Sequence, residues 1–470
     1  MIRITLLTLL IAYLSVYAWK DWFRTACWLV LLMAVFQHPD MPKSIAGIPG
    51  LNHWNFLFLN VFLSWLINRN KQKLTWEMPL HINTILIFYY FFIFAGVLRY
   101  FDDMTGISDL HAVYGWESMG SLTAVNEYLI NCVKWVVPAM IIFDGCRNRQ
   151  QYNFAVITLS LMFIFLALQV IKAMSFGSLI MSGDGLQRKA IKVISSNVGF
   201  HRVNISMIMS GAFWAVFCLK ELVSVKKFLF IIIPACISIF LAMAMTGGRM
   251  GYITWLVLGF ILCVFRWRKF LLLAPVLAAA LFVFAPSTID RLMQGVTPQT
   301  EELAPADFEK EEIDTYTITS GRVISWPVVW WHITEAPFLG YGREAMQNTG
   351  ITMQIMVEYG EGEVFAHPHN AYLEWILDNG FIGAVPIFLF YFYILKYSWS
   401  LFKEKQTAVY VVTGGLCFAL VFAFLFASTG SQTFYPREGA VGMWVAIALM
   451  LRIYIEREKL RKGLKSELID

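Results

Sequence analysis

Residues 228–265 read FLFIIIPACISIFLAMAMTGGRMGYITWLVLGFILCVF, and the single charge among them is Arg249. Lys226 and Lys227 stand before the run; Arg266, Arg268 and Lys269 follow it. A helix needs about 20 predominantly apolar residues to cross the hydrocarbon of a bilayer. The stretch therefore reads as two spans joined so tightly at Gly247-Gly248 that they form a hairpin. Backbone groups in lipid must be satisfied within their own segment, so each span is read as a helix.

The same texture extends over the chain. Further apolar runs lie at about 4–18, 23–37, 54–68, 80–99, 125–145, 154–175, 203–222, 269–286, 376–396, 407–428 and 438–455. With the hairpin that makes thirteen, or twelve if one of the three short N-terminal runs is re-entrant. The 470 residues are 58% hydrophobic and 15% charged, where a soluble domain carries about 25% charged residues. The 39 Phe, 19 Tyr and 17 Trp suit a protein with many rings at the membrane interfaces. The sequence thus predicts an all-α, polytopic membrane protein of about 12–13 transmembrane helices. Its expected divisions are an N-terminal membrane region (1–200), a central one holding the Arg249 hairpin (201–286), a large loop (287–375), and a C-terminal membrane region with its tail (376–470). The apolar N-terminus, Ile2 to Trp19, lacks a basic n-region and an A-x-A site, so it is read as a retained span.

Basic residues set the orientation. Arg69, Lys71 and Lys73; Arg147 and Arg149; Lys226 and Lys227; Arg266, Arg268 and Lys269; and Lys403 and Lys405 fall in alternate loops. Arg457, Lys459, Arg461, Lys462 and Lys465 continue the set in the tail. These mark the cytoplasmic side. The opposite, longer loops would face the periplasm of a bacterium, placing the protein in an inner membrane. The net charge of +5 belongs to these loops, and no dense Lys/Arg stretch accompanies a nucleic-acid fold. Seven cysteines without a CxxC spacing argue against a disulfide framework or a zinc ribbon.

Three outer features carry candidate chemistry. Arg249 at the hairpin is a snorkelling residue on the plainer reading, but the two glycines beside it let a ligand approach the backbone. Ser320-Gly321-Arg322 offers a cation at a helix N-terminus, the makings of a phosphate site or simply a solvated helix start. It begins an amphipathic stretch with Trp326, Trp330 and Trp331, after an acidic, unpatterned segment (Glu301, Glu302, Asp307, Glu309, Glu311, Glu312, Asp314). His367-Pro368-His369-Asn370 leads into the span at 376. Its histidines could join Glu361 or Glu363 on a metal, could merely cap the span, or could supply a general base. Two arginines and a histidine on one side suit a lipid-pyrophosphate reaction, with cations for the leaving group and a base for the attacking hydroxyl. Without a Walker A motif, a GxSxG or an Asp-x-Asp pair in the outer loop, ATP hydrolysis and metal-bound nucleotide-sugar transfer are unsupported. No cofactor and no metal are expected.

At these residues the sequence resembles the O-antigen ligase and polymerase superfamily. The resemblance rests on Gly248-Arg249, Ser320-Gly321-Arg322, Pro337-Phe338-Leu339-Gly340-Tyr341-Gly342, His369-Asn370-Ala371-Tyr372-Leu373 and Asp378-Asn379-Gly380-Phe381-Ile382-Gly383, in that order. It covers roughly residues 200–395. It implies an inverting, metal-independent glycosyltransferase that moves a glycan from undecaprenyl pyrophosphate to an acceptor hydroxyl at the periplasmic face. Lipid A–core is the expected acceptor in lipopolysaccharide biosynthesis. A polymerase and a protein O-glycosylation ligase are the sibling alternatives. Carried over residue by residue, Arg249 and Arg322 would hold the pyrophosphate and His369 would activate the acceptor. His367, Asn370, Arg202 and Arg437 would extend substrate binding. A lipid-linked glycan transporter is the competing class, for which Lys134 is the clearest charge near mid-membrane.

Overall fold

The computed structural model describes residues 2–45, 50–115, 120–294, 321–360, 365–430, 432–464 and 468. The acidic segment 301–314, Thr319, Ser320, Glu361, Glu363 and Lys465 lie outside the described residues. All thirteen apolar runs fall on helices, and the described residues contain no strand. Among the described residues, eight helices are long and apolar enough to cross a membrane: Leu80–Arg99, Ser121–Gly145, Arg149–Met174, Arg202–Glu221, Val225–Met245, Ala371–Phe402, Ala408–Ala427 and Glu438–Arg461. Arg3–Ala18, Trp22–Phe36 and Arg249–Phe265 are apolar but shorter. The other two runs fall short for visible reasons: His53–Lys71 is interrupted by Asn55, Asn60, Ser64 and Asn68, and Ala274–Phe284 has only 11 residues.

The Ala408–Ala427 span is 83% buried and forms the centre, packed between Arg202–Cys218 and Ala371–Phe402. Leu80–Arg99, 39% buried, lies at the rim and turns Ile87, Phe88, Phe91 and Phe94 outward. Such a row of exposed rings is unstable in water and natural in lipid. The two spans of the Gly247-Gly248 hairpin both lean on Arg202–Cys218 more than on each other. Phe213 and Trp214 of that helix meet Trp255, and Phe240 also touches Phe213.

The basic loops collect at one face, tied by shared carboxylates. Buried Asp144 pairs with Arg69 at 2.9 Å and Arg147 at 3.0 Å. Glu77 pairs with Arg147, Arg452 and Lys459. Glu404 binds Arg457 and Arg461, and its backbone carbonyl accepts from Arg266. The helices Arg202–Cys218, Arg249–Phe265, Ala371–Phe402 and Val441–Arg461 all end at this face. Their N-termini therefore gather at the opposite one.

Ala371–Phe402 is broken at Gly380, whose φ of 67° and ψ of −179° suit only glycine. A Cβ there would lie 2.1 Å from the Phe338 carbonyl oxygen. The break frees backbone groups in mid-helix, and the Pro337–Gly342 loop satisfies them. Tyr341 N donates to Leu377 O at 2.9 Å and Gly342 N to Asp378 O at 2.8 Å; in return Phe381 N donates to Pro337 O at 2.7 Å and Ile382 N to Phe338 O at 3.2 Å. Two of the sequence motifs are thus the halves of one joint. Arg99 seals it, donating to the carbonyls of Leu339, Gly340 and Asp378.

Beyond the spans, Thr105–Tyr114, Ala345–Asn348 and Ile351–Tyr359 pack together, and Ile107, Leu110 and Met356 form a small core of their own. A further helix, Gly183–Val198, was not read from the sequence. It buries Leu186, Ala190, Ile194 and Val198 at four-residue intervals and leaves Arg188 and Lys192 exposed.

Candidate functional site

The site assembles from helix beginnings. Arg202, Arg249 and Arg322 are each the first residue of a helix, of 17, 17 and 14 residues respectively. His369 lies two residues before a fourth helix start, at Ala371. Unsatisfied N–H groups and the macrodipole give each start a partial positive charge, which disfavours a cation by roughly 0.3–1 kcal/mol. The same arrangement favours a bound anion.

The Gly247-Gly248 turn supplies the floor. Gly247 has φ 64°, and a Cβ on Gly248 would lie 2.4 Å from Ser206 Oγ, so the turn presses directly on the Arg202 helix. Ser206 Oγ donates to Gly248 O at 3.1 Å. The Gly247 carbonyl accepts from two guanidiniums, Arg202 Nη1 at 3.1 Å and Arg291 Nε at 3.3 Å. Arg249 Nη1 donates to the Gln294 carbonyl at 3.1 Å. Asp184 is the nearby carboxylate, and it accepts Gln294 Nε2 at 2.5 Å. Burial, then Arg249 and Arg202, push the buried Arg291 guanidinium down to about 10, with Asp184 opposing. For half-buried Arg322 the causes are burial and Arg249, and the result is again about 10. The four arginines therefore share one electrostatic neighbourhood.

His369 stands beside them in the left-handed region, φ 51°, a conformation few non-glycine residues adopt. The helix that Arg322 begins holds the histidine loop in place, since Trp326 Nε1 donates to Pro368 O at 2.9 Å. The His367 and His369 rings lie 4.2 Å apart. Burial first, then His367, Arg322 and His201, lower the His369 imidazole to about 3, while Glu374 pulls the other way. His369 is thus neutral, a proton acceptor rather than a donor. Its Nδ1 is buried with no hydrogen-bond partner among the described residues.

The remaining expected residues divide. Asn370 caps the Ala371–Phe402 helix, its Oδ1 accepting from Tyr372 N at 3.0 Å and Leu373 N at 3.3 Å. Arg437 is exposed and lines a small cavity together with His367. Gly321 precedes Arg322 with φ 77° and, as a glycine, supplies no side-chain cap itself. Lys134, the mid-membrane charge, rests against Trp135 at 4.4 Å and Trp54 at 5.5 Å. Among the described residues no group of three His, Cys, Asp or Glu side chains is placed to hold a metal.

Sequence reading missed Arg291 and the support beneath the histidine. Arg291 lies in Pro286–Met293, where no periodic apolar run signals a helix. Buried Arg343 pairs with Glu344 at 2.8 Å, Glu374 at 3.1 Å and Asp378 at 3.2 Å, and sits 3.7 Å from the centre of the Tyr435 ring. Burial works against its charge, but Glu344, Tyr435, Glu374 and Asp378 hold it protonated. Tyr435 Oη donates to Asp378 at 2.8 Å, and Asn379 Nδ2 donates to Tyr435 Oη at 2.8 Å. The available signal was position: Arg343 directly follows the PFLGYG motif, and Glu374 lies one turn before the adjacent Asp378 and Asn379 on the helix after His369.

Fold and site together define a multi-pass helical membrane protein whose arginines flank a neutral histidine at the end opposite its basic face. Residues 234–388 match the family model described as O-Antigen ligase. That segment contains Arg249, Arg291, Arg322 and His369; Arg202 and Arg437 lie outside it. A match to this family points to a glycosyltransferase of the O-antigen ligase or polymerase type, with a lipid-linked glycan and an acceptor as partners. No curated protein matches the chain.

Proposed function

We propose that the protein transfers a glycan from undecaprenyl pyrophosphate to an acceptor hydroxyl, lipid A–core in the first instance, at the periplasmic face of a bacterial inner membrane. One observation carries the reading: three helices that begin with arginine converge beside a neutral histidine. Arg249 and Arg322 bind the pyrophosphate, and Arg202 and Arg291 add charge from the Gly247 side. His369 removes the proton of the acceptor hydroxyl. The acceptor oxygen bonds to the anomeric carbon as the bond from that carbon to the pyrophosphate oxygen breaks, so configuration inverts. The proton stays on His369 and leaves with the departing pyrophosphate or to solvent. Charge grows on the leaving group during this step, where one well-placed donor is worth about 3–4 kcal/mol. The donor is already activated, so neither a nucleotide nor a metal is required.

A polymerase and a protein O-glycosylation ligase share this chemistry and differ in acceptor. Purified protein is therefore incubated with the lipid-linked glycan and a panel of lipid A–core, a second lipid-linked repeat, and acceptor protein. Release of undecaprenyl pyrophosphate with mass gain on one acceptor supports transfer and names the acceptor. Movement of intact donor without cleavage of pyrophosphate would instead make the protein a transporter.

A further inference from the structure

A stripe of apolar side chains lies exposed on the helix that Arg322 begins. Arg322–Glu335 buries Ile324, Val328, Val329 and Ile333 against its neighbours. It turns Pro327, Trp330 and Trp331 outward, so its open face is apolar until Thr334 and Glu335 at the end. Phe338 and Leu339 extend the stripe and are 70% and 54% exposed. Contiguous exposed rings of this kind mark a surface that meets lipid or another protein.

Two spans measure where the stripe lies. Leu80–Arg99 leaves the basic face just after Glu77, and its 20 residues cover about 30 Å at 1.5 Å each. Ala371–Phe402 reaches the same face at Phe402, whose carbonyl accepts from Arg266 at 3.3 Å. Counted back along that helix, Phe381 stands about 32 Å away. Both lengths match a hydrocarbon core of about 30 Å. Arg99, Phe381 and the Pro337–Gly342 loop bonded to both therefore lie at the boundary of the leaflet opposite the basic face. Trp330 meets Phe381 there edge-on, with ring centres 6.5 Å apart. Phe338 O accepts from Ile382 N, so the stripe continues into Ile382 and Val385, which the span leaves exposed. Membrane–water interfaces are where tryptophan collects. We infer that the stripe is a membrane foot: Trp330, Trp331, Phe338 and Leu339 sit in the interface of that leaflet and seat the Arg322 helix on lipid. Its depth and its continuity with the span's outer surface favour lipid over a second copy of the chain. Arg322 begins the same helix about 14 Å from Trp331 along the axis, so the foot holds one cation of the candidate site at the membrane surface.

The test uses the full-length protein in nanodiscs of phosphatidylethanolamine and phosphatidylglycerol, and it needs no activity. Spin labels are placed at Trp331→Cys and Phe338→Cys, and their collisions with oxygen, which enters lipid, and with a water-soluble nickel chelate are compared. All seven native cysteines are buried, so the unsubstituted protein measures background labelling. Lys192→Cys, on the exposed polar face of Gly183–Val198, gives the value for water. Phe392→Cys, exposed midway along its span, gives the value for lipid. The oxygen-to-nickel ratio should rise from Lys192→Cys to Trp331→Cys and Phe338→Cys, and again to Phe392→Cys. Trp330→Cys and Leu339→Cys repeat the measurement if either variant unfolds. Ratios equal to that of Lys192→Cys would put the stripe in water and overturn the foot. Labels shielded from both reagents would overturn it as well, by showing the stripe covered by protein, as a second copy of the chain would cover it.

Discussion

The neutral state of His369 makes the pH profile the most informative measurement on this site. The imidazole titrates near 3 because burial, His367, Arg322 and His201 all oppose its proton, with Glu374 alone favouring it. Against a free imidazole near 6.5, holding that proton costs on the order of 5 kcal/mol, at about 1.4 kcal/mol per tenfold. The sign follows directly. A lowered value means that the neutral, competent form persists on acidification and is lost only as pH falls through about 3. On the proposed function, bound pyrophosphate would change the balance, because its negative charge would offset Arg322 and favour the imidazolium. The acid limb of kcat/KM, which reports the free enzyme, should therefore lie at lower pH than the limb of kcat, which reports the donor complex. Arg322→Gln should move the kcat/KM limb upward by removing one of the opposing cations, and move the kcat limb less. The assay is donor turnover from about pH 2 to 9 at saturating acceptor, with donor concentration varied at each pH. A kcat/KM limb at about 6.5 that does not respond to Arg322→Gln would refute the electrostatic account of His369.

Three further outcomes are expected. His369→Ala should lower single-turnover transfer by about a hundred- to ten-thousand-fold with donor affinity nearly kept, whereas Arg249→Ala and Arg322→Ala should weaken both, and Arg→Lys should restore only part because a point charge lacks the planar fork; donor titrations with normally inserted variants separate the cases. Transfer should survive EDTA, and activity lost to chelator and restored by a divalent ion would revive a metal on His367 and His369. Gly380→Ala should force the Phe338 carbonyl away and break the four hydrogen bonds of the loop–kink joint, at about 1 kcal/mol each plus about 1–3 kcal/mol of backbone strain, so a melting temperature within a few degrees of the parent would contradict the joint.

The helices were legible because lipid imposes one rule on every span, and long apolar runs bracketed by Lys and Arg cannot be much else. The basic face was legible for the same reason, although its cohesion through Asp144, Glu77 and Glu404 was not. Those carboxylates are far apart in sequence and acquire meaning only when folded. PFLGYG and DNGFIG could be seen as motifs but not as two halves of a joint, because a kink at Gly380 is invisible to apolar periodicity. Gly183–Val198 shows the opposite limit. Its four-residue apolar spacing was present in the sequence but lay within a polar segment between spans, where a search for long apolar runs passes over it.

The arginines are where local rule and fold disagree, and the disagreement is informative. A stable helix carries acids in its first turn, yet the helices at 202, 249 and 322 each begin with arginine and have no acidic residue in that turn. Each start forgoes roughly 0.3–1 kcal/mol of dipole stabilisation, and the three stand close enough for Arg249 to bear on Arg322 and, with Arg202, on Arg291. Snorkelling, the plainer reading of Arg249 from sequence, explains one arginine at the end of one span. It does not explain why Arg322 begins a 14-residue helix that is not among the apolar spans, nor why the fourth, Arg291, is buried and shares the Gly247 carbonyl with Arg202. The pyrophosphate of the proposed reaction would answer all four at once, since it would turn mutual repulsion and unfavourable dipoles into attraction on the same geometry. On that proposal, the repulsion among the arginines is what binding of the pyrophosphate would relieve.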